Sequence, residues 1–109
     1  MHQPKNQQIK TYLAEQFNLP ADQIEVLLPS FIATLEAHMK NLENALMENS
    51  PAAMGALGHT IKGAFLNLGL NECARVALHI EERGKAGDHA ADYKQLVAEL
   101  RRKINPFLE

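Results

Sequence analysis

The stretch PAAMGALGHTIKGAFLNL, Pro51 to Leu68, decides the fold. Its large apolar residues, Met54, Leu57, Ile61, Phe65 and Leu68, are spaced 3-4-4-3. At roughly 100° per residue they fall within a narrow arc, the buried stripe of an amphipathic helix. His59 points about 160° away from the middle of that stripe, the wrong side for a core histidine. Around it lie Ala52, Gly55, Ala56 and Gly63, all small, with Lys62 three residues on.

Helical periodicity continues on both sides of this segment. Upstream, Ile9, Leu13 and Phe17 mark a short helix over about Asn6 to Phe17, and Pro20 suits the first turn of the next. That second segment, about Ala21 to Glu48, carries Ile24, Leu27, Leu28, Phe31, Leu35, Met39, Leu42 and Leu46 on one face. Pro29 interrupts it, but the apolar phase runs through unshifted, which predicts one kinked helix rather than two. Ser50 is the expected N-cap of the His59 helix, Gly69 its left-handed terminator, and Asn71 the cap of a fourth helix. The fourth segment, about Glu72 to Ala86, aligns Cys73, Val76, Ala77, Ile80 and Gly84. The fifth, about His89 to Leu108, aligns Tyr93, Leu96, Val97, Leu100, Ile104 and Leu108, with Pro106 expected to fray its end. No sustained period-2 alternation predicts a strand. The expected fold is all-α: an antiparallel four-helix bundle with an additional short N-terminal helix.

Composition narrows the function. The 109 residues are 46% hydrophobic and 22% charged, as in an ordinary globular domain, so the whole of 1–109 reads as one unit. Such a chain holds one core and leaves little room for a deep cleft. A net charge of −2 provides no basic footprint for nucleic acid or an anionic membrane. The only basic run, Arg101-Arg102-Lys103, reads as favourable placement in the last turns of a helix. The single cysteine, Cys73, excludes an internal disulfide and reads as a buried thiol. With no signal-peptide pattern and no apolar run long enough to span a bilayer, the expected location is cytoplasmic.

Self-contained catalysis finds no support. The histidines (His2, His38, His59, His79 and His89) include no pair at i, i+3 or i, i+4, so no metal site is expected. No phosphate-cradling Gly-rich loop and no nucleophile elbow occur. His79, His38 and His89 read as solvated or helix-terminal, and His2 as part of a mobile terminus.

The His59 face remains. Gly55, Gly58 and Gly63 all fall within one helix, at a summed cost of about 2–3 kcal/mol relative to alanine. Gly58 leans toward the core, but Gly55 and Gly63 are expected on the outward face, where close approach of another macromolecule explains them. With Ala56 and the outward Leu66 they form an expected docking patch. Lys62 shares the side of His59 and can reach a group attached to the imidazole. Neutral imidazole is a competent nucleophile near pH 7, and a nearby cation offsets the charge of an added phosphoryl. This arrangement points to reversible phosphorylation of His59.

Gly58-His59-Thr60-Ile61-Lys62-Gly63, followed by Leu68-Gly69 and then Ile80-Glu81-Glu82, resembles the signature of histidine-containing phosphotransfer (HPt) domains. That family shows a small residue, His, any residue, an aliphatic, Lys and Gly, with a further Gly six residues on. The resemblance implies that His59 accepts and donates a phosphoryl group through Nε2, that Lys62 stabilises it, and that Gly63 clears space for an aspartyl partner. It implies as partners the receiver domain of a response regulator, which brings the Asp, Mg²⁺ and a Lys, or a hybrid sensor histidine kinase. The carrier then needs no cofactor of its own and is expected to be monomeric. Ala64 stands where the family often has Ser, and Phe65 where a small residue is common. Glu81, near the border of its buried face, has two readings: a solvated acid, which is favoured, or a group that orients Lys62 or the imidazole. Two other functions stay open. One is a bundle that only docks a receiver or kinase; the other is the dimerisation helix pair of a histidine kinase, which the lack of an ATP-binding domain disfavours.

Overall fold

A computed structural model describes residues 6–108, which leaves His2 outside the described residues. Among them the chain forms five α-helices: α1 Gln7–Phe17, α2 Ala21–Ala45, α3 Pro51–Asn67, α4 Asn71–Lys85 and α5 Tyr93–Leu108. A 3₁₀ turn, Leu46–Glu48, closes α2. α3 packs on α2 and α4, and α5 on α4 and α2, so these four helices close a ring while α1 lies along α2. The all-α bundle is the architecture that the apolar stripes predict.

The core is the sum of those stripes. Met54, Ile61, Phe65 and Leu68 of the α3 segment are buried, as are Cys73, Val76, Ala77 and Ile80 of α4 and Val97, Leu100 and Ile104 of α5. α2 runs unbroken through Pro29 because buried residues on both sides, Ile24 and Leu28 before it and Leu35, Met39 and Leu42 after it, hold one face in phase. Burial pushes the Cys73 thiol up to about 11, which keeps it protonated and inert.

The helix ends show where local chemistry overrode the expected boundaries. Ser50 Oγ accepts from the Ala53 N–H at 3.2 Å, the expected cap, with Pro51 in the first turn. Gly69, at φ 74°, terminates α3 through a paired motif in which Leu70 N–H donates to Phe65 O and Gly69 N–H to Leu66 O. That motif uses Leu70, which then becomes the cap position of α4, and Asn71 is the first residue inside the helix rather than its cap. Gly87, at φ 68°, repeats the motif at the end of α4, with Asp88 N–H donating to Arg83 O. Asp88 is thereby committed to a turn: its Oδ1 accepts from Ala90 N–H and its carbonyl from the Tyr93 hydroxyl. α5 consequently starts at Tyr93, not His89, with Asp92 Oδ1 accepting from the Gln95 N–H as the capping bond. Pro106 lies inside α5, which continues to Leu108.

The basic run also departs from expectation. Arg101 is no helix-end charge. It crosses to α2, donating from Nη1 to Glu36 Oε1 and from Nη2 to Glu43 Oε1, each at 2.7 Å.

Candidate functional site

α3 and α4 approach closely because glycines face each other at their crossing. A Cβ on Gly55 would lie 2.9 Å from Lys85 N and 3.0 Å from Gly84 C, both backbone atoms. A Cβ on Gly58 would lie 2.9 Å from Glu81 N. Gly58 therefore packs against the neighbouring helix, as expected. Gly55 does not belong to an outward docking face: it is buried under α4. The apolar stripe misplaces Gly55 because a glycine contributes no side chain to that stripe, yet its bare backbone is what α4 packs against.

This close contact brings Glu81 of α4 beneath His59 of α3. Glu81 is 5% exposed, so it is not a solvated acid. Its Oε2 lies 2.8 Å from His59 Nδ1 and 2.7 Å from Lys85 Nζ, and its Oε1 lies 2.7 Å from Lys62 Nζ. The Lys62 and Lys85 ammoniums, with a smaller contribution from His59, outweigh burial and hold the Glu81 carboxyl down at about 2. It is ionised at neutral pH and can only accept hydrogen bonds. In the neutral imidazole the proton therefore sits on Nδ1, which donates to Glu81, and the lone pair sits on Nε2. The imidazole itself remains open, with a side-chain exposure of 62%. The site is an exposed nucleophilic nitrogen whose tautomer is fixed from below.

The remaining expected site residues divide. Ala56 and Leu66 are exposed, Leu66 at 47%, and a Cβ on Gly63 would meet nothing within 4 Å. These three stand on open surface beside His59. Lys62 shares the site, but its ammonium rests on Glu81 rather than reaching past the imidazole. Beside the C-terminal half of α3 an apolar cleft of about 680 Å³ opens, lined by Phe17, Leu19, Phe31, Thr34, Ala64 and Asn67. The half-exposed Phe17 on its rim belongs to α1, a contribution that a reading confined to the His59 helix does not find. Lys85 is the other addition. Its one sequence signal was the Glu81–Lys85 spacing of four, which puts both on one helix face.

His79 and His89 are exposed and His38 half-buried. Among the described residues no three His, Cys, Asp or Glu side chains group as metal ligands, and no helix is long and apolar enough to cross a membrane.

Residues 26–105 match the family model of the Hpt domain. Two curated relatives, the phosphorelay proteins LuxU of Vibrio vulnificus strains YJ016 and CMCP6, are each 28% identical over 82 residues. The aligned region spans 75% of this chain and 71% of each relative. No solved structure gives a significant match.

Proposed function

The chain belongs to the Hpt domain family and is a histidine phosphocarrier of a phosphorelay, and we propose that His59 Nε2 is the atom that carries the phosphoryl group. The observation that carries this assignment is the Nδ1 contact to a buried, ionised Glu81, which leaves Nε2 as the exposed lone pair.

Transfer begins with an aspartyl phosphate on a receiver domain. The Nε2 lone pair attacks phosphorus in line, the Nε2–P bond forms, and the bond from phosphorus to the aspartate oxygen breaks, returning that carboxylate to the partner. The ring gains positive charge as it bonds, and the Nδ1–H bond to Glu81 stabilises it. Lys62, on the His59 face, meets the incoming negative charge. The partner supplies Mg²⁺ and the acceptor chemistry, so this chain needs no metal of its own. The reverse steps return the group to an aspartate. Gly63, Ala56, Leu66 and the apolar cleft toward Phe17 form the surface on which the receiver docks, and a hybrid histidine kinase presents the same type of domain. The chain acts as a monomeric cytoplasmic carrier, not as an enzyme with its own substrate pocket.

Incubation with a phosphorylated receiver domain tests this reading. Acid-labile, alkali-stable label is expected on the wild-type chain and absent from His59→Gln, while Gly63→Gln retains its helicity and accepts label more slowly. Label that persists in His59→Gln, or that never appears on the wild type, contradicts the carrier assignment and leaves a bundle that only docks.

A further inference from the structure

The two lysines on Glu81 are held differently. Lys85 sits one turn after Glu81 on α4, and its Nζ donates a hydrogen bond to Oε2 at 2.7 Å. The Glu-before-Lys order at i, i+4 is the favourable one on a helix. Lys62 comes from α3, and its Nζ lies equally close to the other carboxylate oxygen, Oε1. One cation thus travels with Glu81 on its own helix, whereas the other reaches it from across the α3–α4 interface.

Phosphorylation changes what this cluster must balance. An added phosphoryl brings roughly two negative charges to the outer side of the imidazole. It competes with Glu81 for Lys62, whose side chain shares the His59 face. A carboxylate buried as deeply as Glu81 cannot lose its only counter-ion without a large desolvation cost. With two ammoniums against one carboxylate, the cluster holds a surplus cation before any phosphoryl arrives.

Building on the assignment of His59 as the carrier, we propose that Lys85 is a positioning residue that keeps Glu81 paired when Lys62 moves from Oε1 to the phosphoryl group on His59. Glu81 then stays ionised and keeps its bond to Nδ1–H throughout the loaded state. Lys85 touches neither the phosphoryl nor the attacking nitrogen. It acts through Glu81, and it frees Lys62 to change partners.

The test compares Lys85→Gln and Lys85→Arg with the wild type, each loaded from a phosphorylated receiver domain. The lifetime of phosphohistidine is followed by ³¹P NMR, and the Glu81 carboxyl by ¹³C NMR titration. Lys85 is exposed along 61% of its side chain, so neither substitution disturbs the core. Lys85→Gln is expected to accept label at His59 but to lose it about fivefold faster, about 1 kcal/mol at 1.36 kcal/mol per decade. Its Glu81 carboxyl is expected to titrate at higher pH than in the wild type, with the larger rise in the loaded state, and Lys85→Arg restores both readings. A wild-type lifetime in Lys85→Gln, a Glu81 titration unchanged by loading, or failure of arginine to restore either reading overturns the proposal. Absence of label from the wild type itself overturns the carrier assignment instead, so the two failures are distinguishable.

Discussion

Among the described residues two networks of three or more charged groups join helices, and they are built in opposite senses. Between α3 and α4 a single carboxylate, Glu81, is shared by Lys62, Lys85 and the His59 imidazole. Between α2 and α5 a single guanidinium, Arg101, is shared by Glu36 and Glu43. Arg101 donates from Nε, Nη1 and Nη2, so its planar fork is fully occupied and fixes the spacing of the two helices. Its hydrogen bond to Glu36 is the main reason that carboxyl is held below its usual range, against a smaller effect of burial. With Lys40 Nζ 4.0 Å from Glu36 Oε2, the Arg101 network sets two cations against two carboxylates and has no partner to exchange, so it is a brace. The Glu81 network has a surplus cation, an open imidazole and one lysine reaching in from the other helix, so it can receive negative charge. A surplus cation beside an open imidazole, not the presence of ion pairs, separates the candidate site from the structural interface.

The largest effect is expected where the Glu81 network gets its geometry. In Gly84→Val the new side chain collides with the backbone of Gly55 and Pro51, neither of which can give way without moving a helix. A loss of about 3 kcal/mol is expected, at the upper end for overpacking, and thermal denaturation should show a fall of about 12 °C or more. An unchanged midpoint would mean that the glycine contact does not set the α3–α4 spacing. Glu81→Gln comes next. It keeps the shape but removes the charge that both lysines and Nδ1–H need, so transfer from a phosphorylated receiver is expected to slow about tenfold.

Arg101→Met breaks the brace and sharpens the contrast. Loss of a partly exposed network is worth about 1 kcal/mol, and the midpoint should drop by about 5 °C while the transfer rate per folded molecule stays at the wild-type value. Slowed transfer in this variant would show that the two networks communicate. The last contrast is the pH dependence. The Glu81 carboxyl lies at about 2 in the folded chain against an ordinary 4.5, so its stabilisation is fully present above about pH 4.5 and is lost as pH falls toward 2. Glu36 shifts in the same direction and adds to the loss. Urea denaturation between pH 2 and 6 should show a steeper decline in the wild type than in Glu81→Gln.

Much of this was legible in the sequence because the apolar stripes of α2 to α5 keep one phase, even across Pro29. His59 could be placed opposite the α3 stripe for the same reason. Contacts between segments and competing turns were less legible. Gly55 looked outward because a helix packed against bare backbone leaves no apolar mark in the sequence. Glu81 looked like a solvated acid because its burial comes from α4 resting on the bare backbone of Gly58 in α3, a contact between segments more than twenty residues apart. The start of α5 was misplaced because Asp88, a good cap by type, was already committed to the turn after Gly87, which left the capping to Asp92.

The most direct measurement is ¹H–¹⁵N and ³¹P NMR of the chain after loading from a phosphorylated receiver domain, with the imidazole nitrogens assigned. The structure predicts phosphorus bonded to His59 Nε2, with Nδ1 protonated and hydrogen-bonded to Glu81 both before and after loading. Phosphorus on Nδ1, or on any residue other than His59, would contradict it.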